Sequence, residues 1–220
     1  MPSRIQLAID CNGYMGRTTI HFVRHGVVNN TKSIYYGRLP GYGLNAEGYC
    51  QARHVAQYFI EKPIAKIFTS PLLRARQTAS GIARLLGNTP ISISSYLSET
   101  HSPYDGFPLA ALDSRNWDIY SGTSAPYEQP LDVFKRTHRY IDRILAAYPG
   151  KQVIAVTHAD VIVFLSLWAH GYELKYENKL LIEQKKIDIP FPAPASVSTF
   201  TWLSGNPIPV IDYSNNHLVE

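Results

Sequence analysis

Apolar positions along this chain fall into two alternating rhythms, one with the period of a strand and one with that of a helix. Thr19 to Val23 is a short β-branched and aromatic run that ends at Arg24 and predicts a buried strand. From Asn45, a residue suited to cap a helix N-terminus, Tyr49, Ala52, Val55, Ala56, Phe59 and Ile60 recur at helical spacing as far as Pro63. Ile64 to Thr69 predicts a second strand. Leu72, Ala75, Ala79, Ile82, Ala83 and Leu86 mark a second helix, with Gly87 able to adopt the left-handed turn that ends it. A small strand follows near Ile91 to Ile93. Val133, Thr137, Tyr140, Ile141, Ile144, Leu145 and Tyr148 then outline a helix closed by Pro149-Gly150. Gln152 to Thr157 predicts another strand, Asp160 to His170 a helix stopped by Gly171, and Val197 to Leu203 a last strand.

Strands that alternate with helices of this length predict an α/β fold, a three-layer α/β/α sandwich around a mostly parallel sheet. With no internal repeat or long linker, residues 17–220 are expected to form a single domain. The stretch from about 94 to 130 is rich in Pro, Gly, Ser and aromatics and has no sustained period, so it is expected to be an irregular lid. Residues 1–16 read as a disordered leader. Met15 stands just before the first strand and is an alternative start, in which case residues 1–14 would not be translated.

Composition narrows the function classes. The 45% hydrophobic content suits a globular domain, and no run approaches the roughly 20 apolar residues that cross a bilayer. The N-terminal residues lack the apolar core of a secretory signal, so a cytoplasmic location without a membrane partner is expected. Cys11 and Cys50 cannot form a disulfide framework and have no metal-ligand spacing. The net charge of +4 is spread among acidic residues, which argues against nucleic acid. Lys175 to Lys186, the densest basic stretch, also carries Glu177 and Glu183 and is expected to be a solvated surface.

In parallel sheets ligands gather at the carboxyl ends of the strands. Three predicted strands deliver chemistry there: Arg24-His25-Gly26, Thr69-Ser70-Pro71 with Arg74 one helical turn on, and Thr157-His158. Phosphoryl transfer needs a nucleophile, cations for the non-bridging oxygens and an acid for the leaving group. A neutral imidazole at His25, kept neutral by flanking arginines, is a competent nucleophile. Arg24 and Arg74 carry planar donor forks that match phosphate, and His158 stands before a helix whose N-terminus favours anions. Each of these residues alone has a plain structural explanation; their gathering at one sheet edge is what points to a site.

These segments resemble a known family. FVRHG at 22–26, GRLPG at 37–41, TSPLLRARQTA at 69–79 and VTHADVI at 156–162 are similar, in sequence and order, to motifs of the histidine phosphatase superfamily, also called the phosphoglycerate mutase-like family. The resemblance runs from about Thr18 to Leu203. It implies that His25 is phosphorylated, that Arg24 and Arg74 hold phosphate, and that His158 is the second pocket histidine. It also implies a phosphate contact from Asn30, for which Asn29 competes. The Leu-x-Glu pattern at Leu97-Ser98-Glu99 implies Glu99 as the general acid, with Asp105 in reserve.

Three departures refine that expectation. Val27 and Val28 stand where many relatives carry Glu or Ser/Thr, and Ala159 replaces a frequent glycine. Thr100 and His101 occupy the places where the mutase branch has an arginine for a second acidic group, which favours water as acceptor. The expected activity is therefore hydrolysis of a small phosphomonoester without metal or cofactor. Between Ser94 and Val133 the only basic residue is Arg115, so the substrate's body is expected to be apolar or neutral, against a wall offered by Tyr104, Phe107, Trp117, Tyr120 and Tyr127. The alternatives are mutase-type transfer, a non-catalytic phosphate-binding regulatory module, and a zinc site of His25, His158 and Glu99. Oligomeric state is open, a homodimer included.

Overall fold

The computed structural model describes residues 16–215. The expected leader, the alternative start at Met15 and Cys11 therefore lie outside the described residues, Gly16 excepted. The chain runs β1 (Arg17–Arg24), α1 (Ala46–Gln57), β2 (Ile64–Thr69), α2 (Leu73–Leu85), β3 (Ile91–Ile93), a 3-10 turn (Ser95–Leu97) and α3 (Leu109–Asp113). It continues with α4 (Pro130–Ala147), β4 (Gln152–Thr157), α5 (Ala159–Ala169), α6 (Tyr176–Glu183), β5 (Val197–Leu203) and β6 (Val210–Ser214).

The six strands form one sheet in the order β3-β2-β4-β1-β5-β6. The pairs β1/β4, β2/β4 and β2/β3 are parallel, and β5 is antiparallel to both its neighbours, so the sheet is mostly parallel. Helices cover both faces. Val23, Ile67, Ile154, Val156 and Val197 pack on one side against Val55, Ala56 and Phe59 of the α1 segment and Ala75, Ala79 and Ile82 of α2. Ile20, Phe22, Val153, Ala155 and Phe200 pack on the other against Tyr140, Ile141 and Ile144 of α4 and Ile162 and Leu165 of α5. Strands buried on both faces explain the near-continuous apolar runs of β1 and β4.

Helix ends follow their local chemistry. Asn45 accepts a hydrogen bond from Gly48 N and caps α1. Pro130 opens α4 where no backbone N–H is needed, while Asp132 accepts from Gln129 N. Two elements went unexpected in the sequence. α6 carries only two fully buried residues, Lys179 and Ile182, in a polar octet, and β6 is a short edge strand after a Pro-rich turn. The 94–130 stretch contains the 3-10 turn and α3, and its Tyr120 packs edge-on against Phe164 of α5.

Midway along β1 His21 is buried, with Nδ1 2.9 Å from Thr199 Oγ1 and Nε2 3.0 Å from Gln152 Oε1. Burial lowers its pKa to about 4 from 6.5, against the opposing bond from Gln152. The folded state therefore takes up fewer protons than the unfolded chain between these values, and the stabilisation is full above pH 6.5 and lost as pH falls through about 4. His21 alone accounts for about 3 kcal/mol over that window. Thermal melts between pH 7 and pH 4 are expected to show a falling Tm, with a shallower fall in His21→Gln; an equal slope in the variant would contradict this.

Candidate active site

The order β2-β4-β1 sets the carboxyl ends of three parallel strands side by side. Arg24 is in register with Thr157, and Thr69 with Val156. The ladder continues one residue further on each side: His25 N donates to Thr157 O at 3.0 Å and Ser70 N to Val156 O at 2.9 Å. The backbone alone therefore brings His25 and His158 together, and their ring centroids stand 5.2 Å apart.

The turn after β1 is held by contact with two helices. Gly26 N donates to Thr78 Oγ1 on α2 at 3.1 Å. A Cβ on Gly26 would lie 2.7 Å from Gly48 O at the start of α1, so only glycine allows this approach.

Arg74 lies on the buried stripe of α2 and is 0% exposed, whereas Arg76 and Arg84 of the same helix face solvent. Its Nε donates to His25 Nε2 at 3.1 Å, and its Nη2 donates to Gly37 O at 2.8 Å and stands 3.2 Å from His158 Nδ1. The guanidinium also stacks over Tyr36, 4.7 Å from the ring centre. These bonds fix the imidazole tautomers. His25 Nδ1 is 2.8 Å from Gly26 O and must donate, which leaves the Nε2 lone pair toward Arg74. By the same logic His158 presents Nδ1 as acceptor and donates from Nε2 to Ser70 Oγ at 2.8 Å.

Burial, followed by the charge of Arg74, holds both histidines well below the ordinary imidazole range, so both are neutral near pH 7. Arg24 Nη1 donates to Pro192 O at 2.8 Å. Arg24 Nε and Arg74 Nη1 are buried without a hydrogen-bond partner among the described residues. Two orphaned guanidinium N–H groups beside two neutral imidazoles make a cationic cradle.

Glu99 closes the cradle from the loop after β3. Its side chain is 14% exposed, with Oε2 3.4 Å from His158 Nδ1 and 3.7 Å from Arg74 Nη2. Oε1 accepts from Thr100 N at 2.9 Å. Burial, aided by the charge of Asp160, raises its pKa against the pull of Arg74. The loop is pinned through its backbone: Thr157 Oγ1 donates to Leu97 O at 2.8 Å, and Arg38 Nε to Glu99 O at 2.8 Å.

The other expected residues divide. Asn30 borders the cavity, but its amide oxygen and nitrogen both bond the backbone of Ile34, at 3.3 and 2.9 Å, so it shapes its loop. Asn29 is exposed. Asp105 is not among the residues bordering the cavity; its Oδ2 accepts from Arg38 N at 3.0 Å, and it buttresses the 37–41 turn. Of the five lid aromatics only Trp117 borders the cavity, beside Tyr35. Neither Thr100 nor His101 reaches it.

One expectation is overturned. The 175–186 stretch is not simply a solvated surface: Lys179 is 5% exposed, stands 2.9 Å from Asp160 Oδ1 and borders the cavity with Glu183. The charged residues around Lys179 masked its burial; its partner lies in another segment. The arrangement also does not suit a metal. Ligand atoms of His25, Glu99 and His158 lie within 4.8 Å of one another, but the Arg74 guanidinium engages both imidazole lone pairs and repels a cation.

The cavity measures about 510 Å³ and is bordered by His25, Arg24, Glu99, Tyr36, Trp117 and Phe191, among others, while Arg74 and His158, both fully buried, stand behind this lining in contact with His25. A profile of the histidine phosphatase superfamily (branch 1) matches residues 20–189, and the chain belongs to that family. It is 32% identical to an uncharacterized protein of Mycobacterium tuberculosis over 74% of this chain and 83% of that one. Among solved structures it resembles Bacillus stearothermophilus YhfR, with TM-score 0.74 and 21% identity over 91% of this chain and 99% of that one. It also resembles a phosphoserine phosphatase of Entamoeba histolytica solved with 3-phosphoglyceric acid, with TM-score 0.70 and 21% identity over 92% and 100% of the two chains.

Gly37 is the hinge of the cradle. It adopts φ +30°, and a Cβ there would collide with the Asp105 carboxylate. Gly37→Ala is expected to displace the carbonyl that anchors Arg74 and to weaken inorganic phosphate binding by about tenfold or more, read by calorimetry. Unchanged affinity would show that the anchor does not govern the cradle.

Proposed function

We propose that this protein is a metal-independent phosphomonoesterase that works through a phosphohistidine on His25. In this reading the phosphate oxygens take the free N–H groups of Arg24 and Arg74 and compete for the guanidinium that holds His25 Nε2. The released lone pair attacks phosphorus, the P–O bond to the leaving group breaks, and Glu99 gives its proton to the departing oxygen. Water then attacks the phosphohistidine with Glu99 as base, which frees phosphate and returns His25 to its starting tautomer. His158, neutral and turned by Ser70, holds the Arg74 guanidinium in place beside the phosphoryl group.

The observation that carries this is the tautomer of His25. Its Nδ1–H is committed to Gly26 O and its lone pair is on Nε2, beside buried guanidinium groups that have donors to spare. Water is the favoured acceptor because Thr100 and His101 supply no cation to the cavity. The substrate is read as a small phosphorylated metabolite, and a cytoplasmic location belongs to the same proposal, in keeping with the free thiol of Cys50.

The pH profile follows from two groups. His25 must be neutral, which holds above its depressed pKa, and Glu99 must be protonated, which holds below its raised one. Activity is expected to peak at acidic pH. With an aryl phosphate and chelator present, His25→Ala is expected to abolish turnover and the base-stable, acid-labile phosphoenzyme. Glu99→Gln should slow alkyl phosphates by about 10²–10⁴-fold and flatten the alkaline limb. Turnover retained in His25→Ala would remove the nucleophile; tight vanadate binding without turnover in the wild type would favour a binding module.

A further inference from the structure

The cavity wall formed by the start of α5 and by α6 has a charge pattern that the phosphate chemistry does not use. Lys179 Nζ stands 2.9 Å from Asp160 Oδ1 and 3.1 Å from Asp160 Oδ2, and 3.9 Å from Glu183 Oε1. Asp160 Oδ2 also accepts from Tyr120 OH, whose oxygen is 3.2 Å from Thr100 Oγ1. The ammonium is buried with both oxygens of Asp160 close to it and Glu183 beyond, so its charge is offset within the wall. Asp160 is equally committed, to Lys179 and Tyr120.

Glu183 differs. It is a quarter exposed, and among the described residues its carboxylate is engaged only by the long ion pair to Lys179. All three side chains border the cavity. With Asp160 and Glu183 negative and Lys179 positive, this wall carries one net negative charge. The cationic part of the site, Arg24 and Arg74, is taken up by the phosphate itself. A second acid on the substrate would therefore meet a wall of net like charge whose one cation is already paired with Asp160. An amine or other donor would meet a free acceptor of opposite charge, and like against unlike charge at one wall discriminates between partners. The cavity is also roomier than a phosphate needs and falls in the range, roughly 300–1,000 Å³, that holds whole small-molecule ligands.

We propose that the Asp160–Lys179–Glu183 wall selects phosphomonoesters whose organic part bears an amine or similar donor and turns away those bearing a second acid, with Glu183 as the residue that meets that group. The inference rests on the phosphatase reading above. It separates this chain from the Entamoeba histolytica neighbour solved with 3-phosphoglyceric acid, a carboxylated ligand.

The test uses two matched series, ω-aminoalkyl and ω-carboxyalkyl phosphates of two to six carbons, with an aryl phosphate as reference. At the chain length that reaches the wall, kcat/KM is expected to favour the amine by about tenfold or more. In Glu183→Gln that ratio is expected to fall toward unity, whatever happens to the overall rate. Aryl phosphate turnover with a ratio at or below one at every length would overturn the proposal, as would an unchanged ratio in Glu183→Gln. Failure of aryl phosphate turnover would instead strike the phosphatase reading, and calorimetric binding of the same two series would then decide the selectivity.

Discussion

A positive charge held in the interior is the constraint around which this molecule is arranged. Arg74 is fully buried, and an isolated guanidinium in that position would cost several kcal/mol in lost hydration. The chain meets that cost with the Gly37 carbonyl, the lone pairs of two imidazoles, the Glu99 carboxylate and the face of Tyr36. Those partners come from the loops after β1, β3 and β4 and from the 36–37 turn. The same group that needs them all also depresses the histidines and keeps their lone pairs available. Stability and chemistry draw on one set of contacts.

That arrangement explains what the amino-acid sequence makes legible. The apolar periods of β1, β2, β4, α1, α2 and α4 gave the layers, since those elements bury a stripe or both faces. Once β2, β4 and β1 are neighbours, the histidines and Arg74 must meet, because strand direction alone decides where residues 25, 70 and 158 emerge. Glu99 came from a resemblance in pattern, and the Thr157–Leu97 bond is the physical reason its loop stays near β4.

What stayed hidden was hidden for identifiable reasons. Lys179 sits among charged neighbours in a helix of weak polarity contrast, and its burial depends on Asp160, which no local pattern reveals. β6 is short and among the described residues pairs only with β5, so tertiary contact defines it more than its own residues do. Asn30 has the right neighbourhood and the wrong occupation: its amide is spent on the turn from Asn30 to Ile34. Asp105 likewise supports the turn that carries Gly37.

The place of β4 between β1 and β2 has a consequence for biosynthesis. β1 emerges early from the ribosome, yet both its neighbours, β4 and β5, lie in the last third of the chain. At about 5–20 residues per second, a nascent chain spends on the order of ten seconds with an apolar strand whose two edges are unpaired. Such edges invite pairing with other chains, and long-range parallel contacts close slowly. The segment Gln152–Thr157 acts as a keystone inserted late, and the protection of the growing polypeptide until it arrives falls to α1 and α2, which can already lean on one face of β1 and β2.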